Sequence, residues 1–386
     1  MNNYHFDLQT DMRGTGCCKW DKAGAQYPFP FSVADTDFRP PVEIEEAIIQ
    51  KVRQGNLAYG IYPPAFHKAI KSWYERRYGT KLASKWIRNS PGLIVSAKLI
   101  MEAVTRVGEN VLVMPPVYFN FREIVEKNGR NLVESPLILA QGHYRIDFED
   151  LEQKARDPRT TMMILCNPHN PIGYCWPKEE LAQIAEICSR HGVFVLSDEA
   201  HADIVYNGAK HTVFLDSCEA AKDNCACINA PGKAFNINGL YVSYAIIPNE
   251  RIRTAYDNAY ENHHFDFSLL GAEALIAAYE YGARYVDELD EYIEGNMRYL
   301  DEFLKTNLPK IRMVPPNATY LAWLDFRDCG MNSQKADLLL KSAGLVLNRG
   351  DLYGAHGDGF MRFNVACSRT VLEQALEALK NHPSHL

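Results

Sequence analysis

The sequence has no long apolar run. No uninterrupted stretch reaches the ~18–20 residues of a membrane-spanning helix, so no such span is expected. The start, Met1-Asn2-Asn3-Tyr4-His5-Phe6-Asp7, lacks a basic region followed by an apolar one. No secretory signal is therefore expected, and a cytoplasmic location is. Positive charge is not in excess: Lys+Arg 41 stand against Asp+Glu 48, a net −7. That mild acidity argues against nucleic acid or an anionic membrane as the main partner. Cysteines at metal or redox spacing are missing. Among the ten cysteines the close pairs are Cys17-Cys18 and Cys225-x-Cys227, and neither has two residues between its members. Buried, reduced thiols are expected, with Cys225 and Cys227 on one face of a strand. His263-His264 are adjacent, a spacing that rarely aims both rings at one ion, and no carboxylate triad surrounds them, so no metal is expected. A phosphate-cradling G-x-x-x-x-G-K-[ST] is missing too: Gly232-Lys233 is followed by Ala234, and position 227 is Cys. Asp198-Glu199-Ala200-His201 therefore does not mark a nucleic-acid helicase.

What is present is an ordinary soluble composition, 47% hydrophobic and 23% charged. At 386 residues the chain exceeds what a single core usually holds, so two domains are expected. Short apolar β-type runs recur at 110–114, 161–165, 193–196, 225–228 and 242–247. Helical patterns separate most of them, as at 178–191 with Leu181, Ile184, Ala185 and Ile187. This alternation predicts a mostly parallel sheet covered on both faces, with ligands at the carboxyl ends of its strands. A long helical stretch from about 269 to 308 leads to a smaller α+β part. That part has strands at 318–326 and 360–365 and helices at 335–343 and 372–381. The division expected is an N-terminal segment 1–45 packing with the small domain, a large domain 46–285 and a small domain 286–386.

Three polar residues follow apolar runs: Asn167, Asp198 and Lys233. An amine, a carboxylate and an amide there can hold a pyridine aldehyde by three handles: a Schiff base, a partner for the ring N–H and a donor to the ring hydroxyl. That is the chemistry of pyridoxal 5'-phosphate. Taken alone, Lys233 is a surface lysine and Asp198 a helix cap. Gly92-Leu93-Ile94-Val95-Ser96-Ala97-Lys98 opens a helix whose free N–H groups suit a phosphate, with a plain packed helix start as the alternative. Tyr118 follows a strand and can stack on a flat ring or pack in the core. Arg362 alternates with apolar residues, so an inward guanidinium needs an anion: a substrate carboxylate or a structural carboxylate.

These residues resemble a family of fold-type I pyridoxal-phosphate enzymes, the class I/II aminotransferase superfamily, and in it the cystathionine β-lyase (carbon–sulfur lyase) branch that includes the maltose-regulon modulator. The resemblance covers nearly the whole chain. Its motifs are Lys19-Trp20-Asp21, Val33-Ala34-Asp35-Thr36-Asp37-Phe38, Cys166-Asn167-Pro168-His169-Asn170-Pro171, Ser197-Asp198-Glu199-Ala200-His201, Lys233-Ala234-Phe235-Asn236, Ala318-Thr319-Tyr320-Leu321-Ala322-Trp323-Leu324-Asp325 and Arg362-Phe363-Asn364.

The resemblance implies an α/β fold with a mostly parallel seven-stranded sheet in the large domain and a smaller α+β C-terminal domain. It implies that Lys233 carries the cofactor and moves protons, that Asp198 keeps the ring nitrogen protonated and that Tyr118 stacks on the ring. Asn167 and His201 contact the cofactor, and the backbone at Ser96 and Ala97 meets its phosphate. Arg362, with Ala34, Asn167 and Tyr59, binds substrate. A homodimer is implied, with a tyrosine from Tyr59-Gly60-Ile61-Tyr62 crossing into the partner's site. Tyr62 and Tyr59 are both candidates, because Ile61 takes the slot directly after the glycine. The implied activity is β-elimination of thiol from cystathionine or another L-cysteine S-conjugate, giving pyruvate and ammonia. The rivals are an aminotransferase and a regulatory binding protein with residual activity. Two further departures concern the phosphate. Ala230 and Gly232 replace serines of the superfamily, and Tyr241 stands where many members carry a cation.

Overall fold

Residues 4–8 and 11–382 are described in a computed structural model of the chain. The outer ends of the expected first and last segments, 1–3 and 383–386, and residues 9–10 fall outside the described residues. Seven strands form the central sheet: β1 (Ile87–Ser90), β2 (Asn110–Val113), β3 (Asn131–Glu134), β4 (Thr160–Cys166), β5 (Phe194–Asp198), β6 (Cys225–Asn229) and β7 (Ser243–Ile246). Their order is β1-β7-β6-β5-β4-β2-β3. β7 runs antiparallel to both of its neighbours, and the remaining pairs are parallel. The sheet is thus mostly parallel, as the alternation of runs and helices suggested.

Alternation along each strand feeds two separate cores. Leu112, Met163, Leu165, Val195, Cys225, Cys227 and Tyr244 face one side. Val111, Met162, Ile164, Leu196, Ala226 and Ile228 face the other. A strand buried on both faces needs apolar residues at every position, which is why these runs read as continuous. Cys225 and Cys227 do share a face, and all ten cysteines are free.

Helix α1 (Leu93–Val104) packs on the second face, and α2 (Lys178–Arg190) contributes Leu181, Ile184, Ala185 and Ile187 to the first. The four-residue α3 (Gly232–Phe235) follows β6. The expected continuous helix over 269–308 is corrected: it divides at Gly282 into α4 (Leu269–Tyr281) and α5 (Ala283–Asn307). A Cβ at Gly282 would lie 2.3 Å from the Phe235 ring, so the chain crosses α3 there too closely for any other residue.

Beyond α5, an antiparallel sheet runs in the order β8-β9-β11-β10. Its strands are β8 (Arg312–Val314), β9 (Leu321–Asp325), β10 (Asn348–Arg349) and β11 (Phe360–Asn364). Helices Ser333–Ser342 and Arg369–Lys380 accompany it. The N-terminal residues Phe29–Pro30 pair in parallel with Leu345–Val346, and Asn364 N–H donates to Phe31 O. Lys19 Nζ and Trp20 Nε1 hold the Asp37 carboxylate at 2.9 and 2.8 Å. These contacts lay residues 32–38 across the carboxyl ends of the central strands. Among the described residues no helix is long and apolar enough to cross a membrane.

Candidate active site

A cavity of about 540 Å³ opens where the strand ends, α1 and the 32–38 segment meet. Each wall residue arrives there for a local reason. β5 ends in Asp198, which is buried, and the Ala200 N–H donates to its Oδ1 at 3.0 Å. Burial raises this carboxyl to about 6 against the backbone hydrogen bond and the Lys233 charge, which lower it. The turn after β6 carries Ala230 and then Lys233 in α3, whose amine donates to Ala34 O at 2.7 Å. Burial lowers the Lys233 amine below the usual lysine range, with Asp35 opposing and Arg362 assisting. Such an amine gives up its proton more readily than a solvated one.

β11 directs Arg362 inward, where it is 2% exposed. Its guanidinium donates to Asn170 Oδ1 at 3.0 Å and to Ser32 O, and its Nε has no partner among the described residues. The Tyr353 ring lies 5.3 Å beneath. A buried guanidinium with neutral partners and a spare donor is arranged to accept an anion. Tyr118 forms part of the wall; its hydroxyl accepts from Asn120 Nδ2 at 2.7 Å, and burial followed by the Asp198 charge pushes it up to about 12. His201 meets Tyr320 edge-on at 5.5 Å. Its Nδ1 has no partner among the described residues, and burial holds the ring neutral.

The structure brings Lys233, Asp198, Tyr118, His201, Arg362 and Ala34 to one cavity. It places the others elsewhere. The Ser96 and Ala97 backbone, expected to meet a phosphate, lies within the first turns of α1. The Ser96 N–H already donates to Gly92 O at 3.0 Å, and both residues are buried inside α1. The N–H groups of Leu93, Ile94 and Val95 precede that first helical bond, and these residues line the cavity. Asn167 lies behind the wall. Its Oδ1 accepts from Trp176 N–H at 3.1 Å and its Nδ2 faces Thr212 O, while the adjacent Cys166 lines the cavity. Tyr59 is 94% exposed and Tyr62 stacks on Phe267 at 3.9 Å, so neither lines its own chain's cavity.

Asn170, Asn238, Tyr241 and Asn348 line the cavity without having been picked out as site residues. Asn170 was within reach, since it sits inside the Asn-Pro-His-Asn-Pro motif. Tyr241 stands at a non-glycine φ of 51° on the wall. The donor set fits pyridoxal phosphate: an amine, a buried carboxylate, a ring-sized aromatic and a helix start with free N–H groups share one cavity.

Comparison with known proteins agrees. Residues 29–379 match the model of the family described as aminotransferase class I and II. A cystathionine β-lyase of Bacillus subtilis, PatB, is 39% identical over 97% of this chain and 99% of its own. A pyridoxal-phosphate-bound putative aminotransferase of Clostridium difficile is 32% identical. It superimposes with a TM-score of 0.95 over 98% of this chain and 100% of its own. Cystalysin of Treponema denticola, whose structure contains pyridoxal 5'-phosphate, is 29% identical with a TM-score of 0.95 over 98% of each chain.

Proposed function

The chain belongs to the class I and II aminotransferase family, and from that premise we propose that it is a carbon–sulfur β-lyase. The reaction is elimination of a thiol from cystathionine or another L-cysteine S-conjugate, leaving pyruvate and ammonia. The fold is that of a fold-type I enzyme, and the cofactor is pyridoxal 5'-phosphate.

When bound, the cofactor supplies an electron sink for the negative charge left at the substrate's Cα. The chain's own groups do the rest. Lys233 anchors the cofactor through its amine and, once free again, takes the proton from Cα; its low proton affinity suits both tasks. Asp198 accepts the ring N–H, which adds a charged partner to the Ala200 N–H that this buried carboxylate already holds. Tyr118 covers one face of the ring. The Leu93, Ile94 and Val95 N–H groups receive the phosphate at the positive end of α1. Arg362 takes the substrate α-carboxylate through its guanidinium, whose present partners, Asn170 Oδ1 and Ser32 O, are neutral. Neutral His201 adds no cation beside Lys233. We assign Leu57, Tyr59 and Ile61, all more than half exposed, to the face a second copy covers, which carries Tyr59 or Tyr62 towards the partner's cavity. The same reading divides the chain near residues 45 and 285.

One observation carries the proposal. Lys233, Asp198 and Arg362 share a single cavity in a chain 39% identical, over 97% of its length, to a cystathionine β-lyase. Transamination is the second reading, because it needs the same three groups and a similar structure is described as a putative aminotransferase. The test mixes the purified holoenzyme with L-cystathionine and other cysteine S-conjugates and measures pyruvate and free thiol. Product without added keto acid supports the lyase. Turnover that requires a keto acid replaces it with an aminotransferase.

A further inference from the structure

Gly232, next to the lysine, has no room for a side chain. A Cβ there would lie 2.2 Å from Asn238 Oδ1 and 2.9 Å from its Cγ. The Asn238 amide therefore fills the space that any residue other than glycine would claim at 232. From that position its Nδ2 donates to Asp35 Oδ1 at 2.7 Å. The loop after Lys233 makes a second tie of the same kind, Asn236 Nδ2 to Phe38 O at 3.0 Å. Both bonds reach the strap of residues 33–38, which covers the cavity. From the small sheet, Asn364 Nδ2 holds Val33 O and Asp35 O at 2.6 and 2.7 Å. Between these anchors lies Ala34 O, which accepts from Lys233 Nζ and, at 2.9 Å, from the Tyr320 hydroxyl.

The Lys233 contact cannot serve two purposes. An amine free to donate to Ala34 is one not bonded to the cofactor. When the cofactor takes that nitrogen, the strap loses its central tie to the lysine loop, and Asn238 and Asn236 remain. Asn236 holds the far end, at Phe38, whereas Asn238 holds Asp35, next to the carbonyl that now keeps only the Tyr320 hydroxyl as donor. We propose that Asn238 is a positioning residue: it keeps the strap closed over the cavity in the cofactor-loaded protein and so governs substrate affinity. The glycine at 232 is its structural counterpart. This inference rests on Lys233 as the cofactor's anchor.

The test is amide hydrogen exchange of the peptide spanning the strap, measured without substrate in wild type and Asn238→Ala, each with and without pyridoxal 5'-phosphate. Loss of one solvent-exposed hydrogen bond to a carboxylate should raise strap exchange about three- to tenfold in the loaded protein. In the cofactor-free protein the rise should be under about twofold, because Lys233 still holds Ala34. KM for the substrate should rise more than kcat falls. Gly232→Ser, whose Cβ displaces the Asn238 amide, should give the same exchange pattern, and the double variant should add little to either single change. Asp35→Ala breaks the bond from the other side and serves if Asn238→Ala folds poorly. Equal exchange increases with and without cofactor, or none in the loaded protein, would overturn the proposal. Cofactor uptake is read separately by visible absorbance. A chain that takes up no cofactor sinks both this inference and the functional reading. One that takes it up with an unaltered strap sinks this inference alone.

Discussion

Replacing Asp198 by asparagine should stabilise the cofactor-free protein while impairing the loaded one. The buried carboxyl sits at about 6 in the fold, against about 4 in an unfolded chain. Because the folded value is raised, the contribution to stability is complete below about pH 4 and lost as pH rises through about 6. Above that the ionised carboxylate costs about 3 kcal/mol. At pH 5 about half of that cost is in place, and at pH 8 nearly all of it. Asparagine keeps an oxygen for the Ala200 N–H and removes the charge, while its own N–H donors offset part of the gain, about 1 kcal/mol. The variant should gain about 1–2 kcal/mol at pH 8. Its advantage there should exceed that at pH 5 by about half of the full cost. Spread over the unfolding entropy of a 386-residue chain, this is about 2 °C in Tm. Differential scanning of cofactor-free wild type and variant at both pH values reads it directly. Saturating pyridoxal phosphate should reverse the order, since only the carboxylate gains a charged partner. A variant less stable at pH 8, or a Tm difference independent of pH, would refute the idea that Asp198 is a costly, unpaired charge awaiting a ring N–H.

Other predictions follow from the same geometry. Lys233→Ala should abolish both the visible absorbance of covalently held cofactor and turnover while leaving the far-ultraviolet circular dichroism unchanged; steady-state activity in this variant would contradict the assignment. Arg362→Lys should lower kcat/KM about 30- to 100-fold, mostly through KM, because a lysine cannot offer the forked donors to a carboxylate, a loss of about 2–3 kcal/mol. His211 Nε2 lies 3.4 Å from Glu199 Oε2 inside the fold, a charge contact that falls short of hydrogen-bond geometry. Burial pulls its imidazolium down, but contacts with Cys175 and Glu199 prevail and hold it at about 10. That raised value gives stability that is complete below about pH 6.5 and lost as pH climbs through about 10. His211→Ala should therefore cost about 3–5 kcal/mol near neutrality, by denaturant titration, and progressively less towards pH 10.

The parts legible in the sequence were those whose physics is local. Five of the seven sheet strands announced themselves as apolar runs. The two that did not, Ile87–Ser90 and Asn131–Glu134, are the two edges of the sheet. An edge strand is half exposed and can carry Arg88, Asn89 or Asn131 without cost, so its pattern fades. The division at Gly282 was hidden because its cause, the Phe235 ring, is 47 positions away in the chain. Lys233, Asp198 and Arg362 could be singled out by type and place. Pattern alone could not show that Asn167 turns from the cavity while its neighbour Cys166 faces it, because strand register decides that. Nor could it show that the first free N–H groups of α1 lie before Ser96. The Ala34–Lys233 contact spans 199 positions and exists only once both layers are assembled.

The order in which the chain is synthesised meets a constraint in the pairing of Phe29–Pro30 with Leu345–Val346. The strap that follows Phe31 leaves the ribosome long before its docking surface on the small sheet. A nascent chain halted before residue 345 would already hold Asp198 and Lys233. It would lack Arg362, Asn364 and the pairing that anchors the strap to the small sheet. The groups that take the cofactor are thus finished before those that admit a substrate, and the reactive centre is completed only when the strap meets the small sheet.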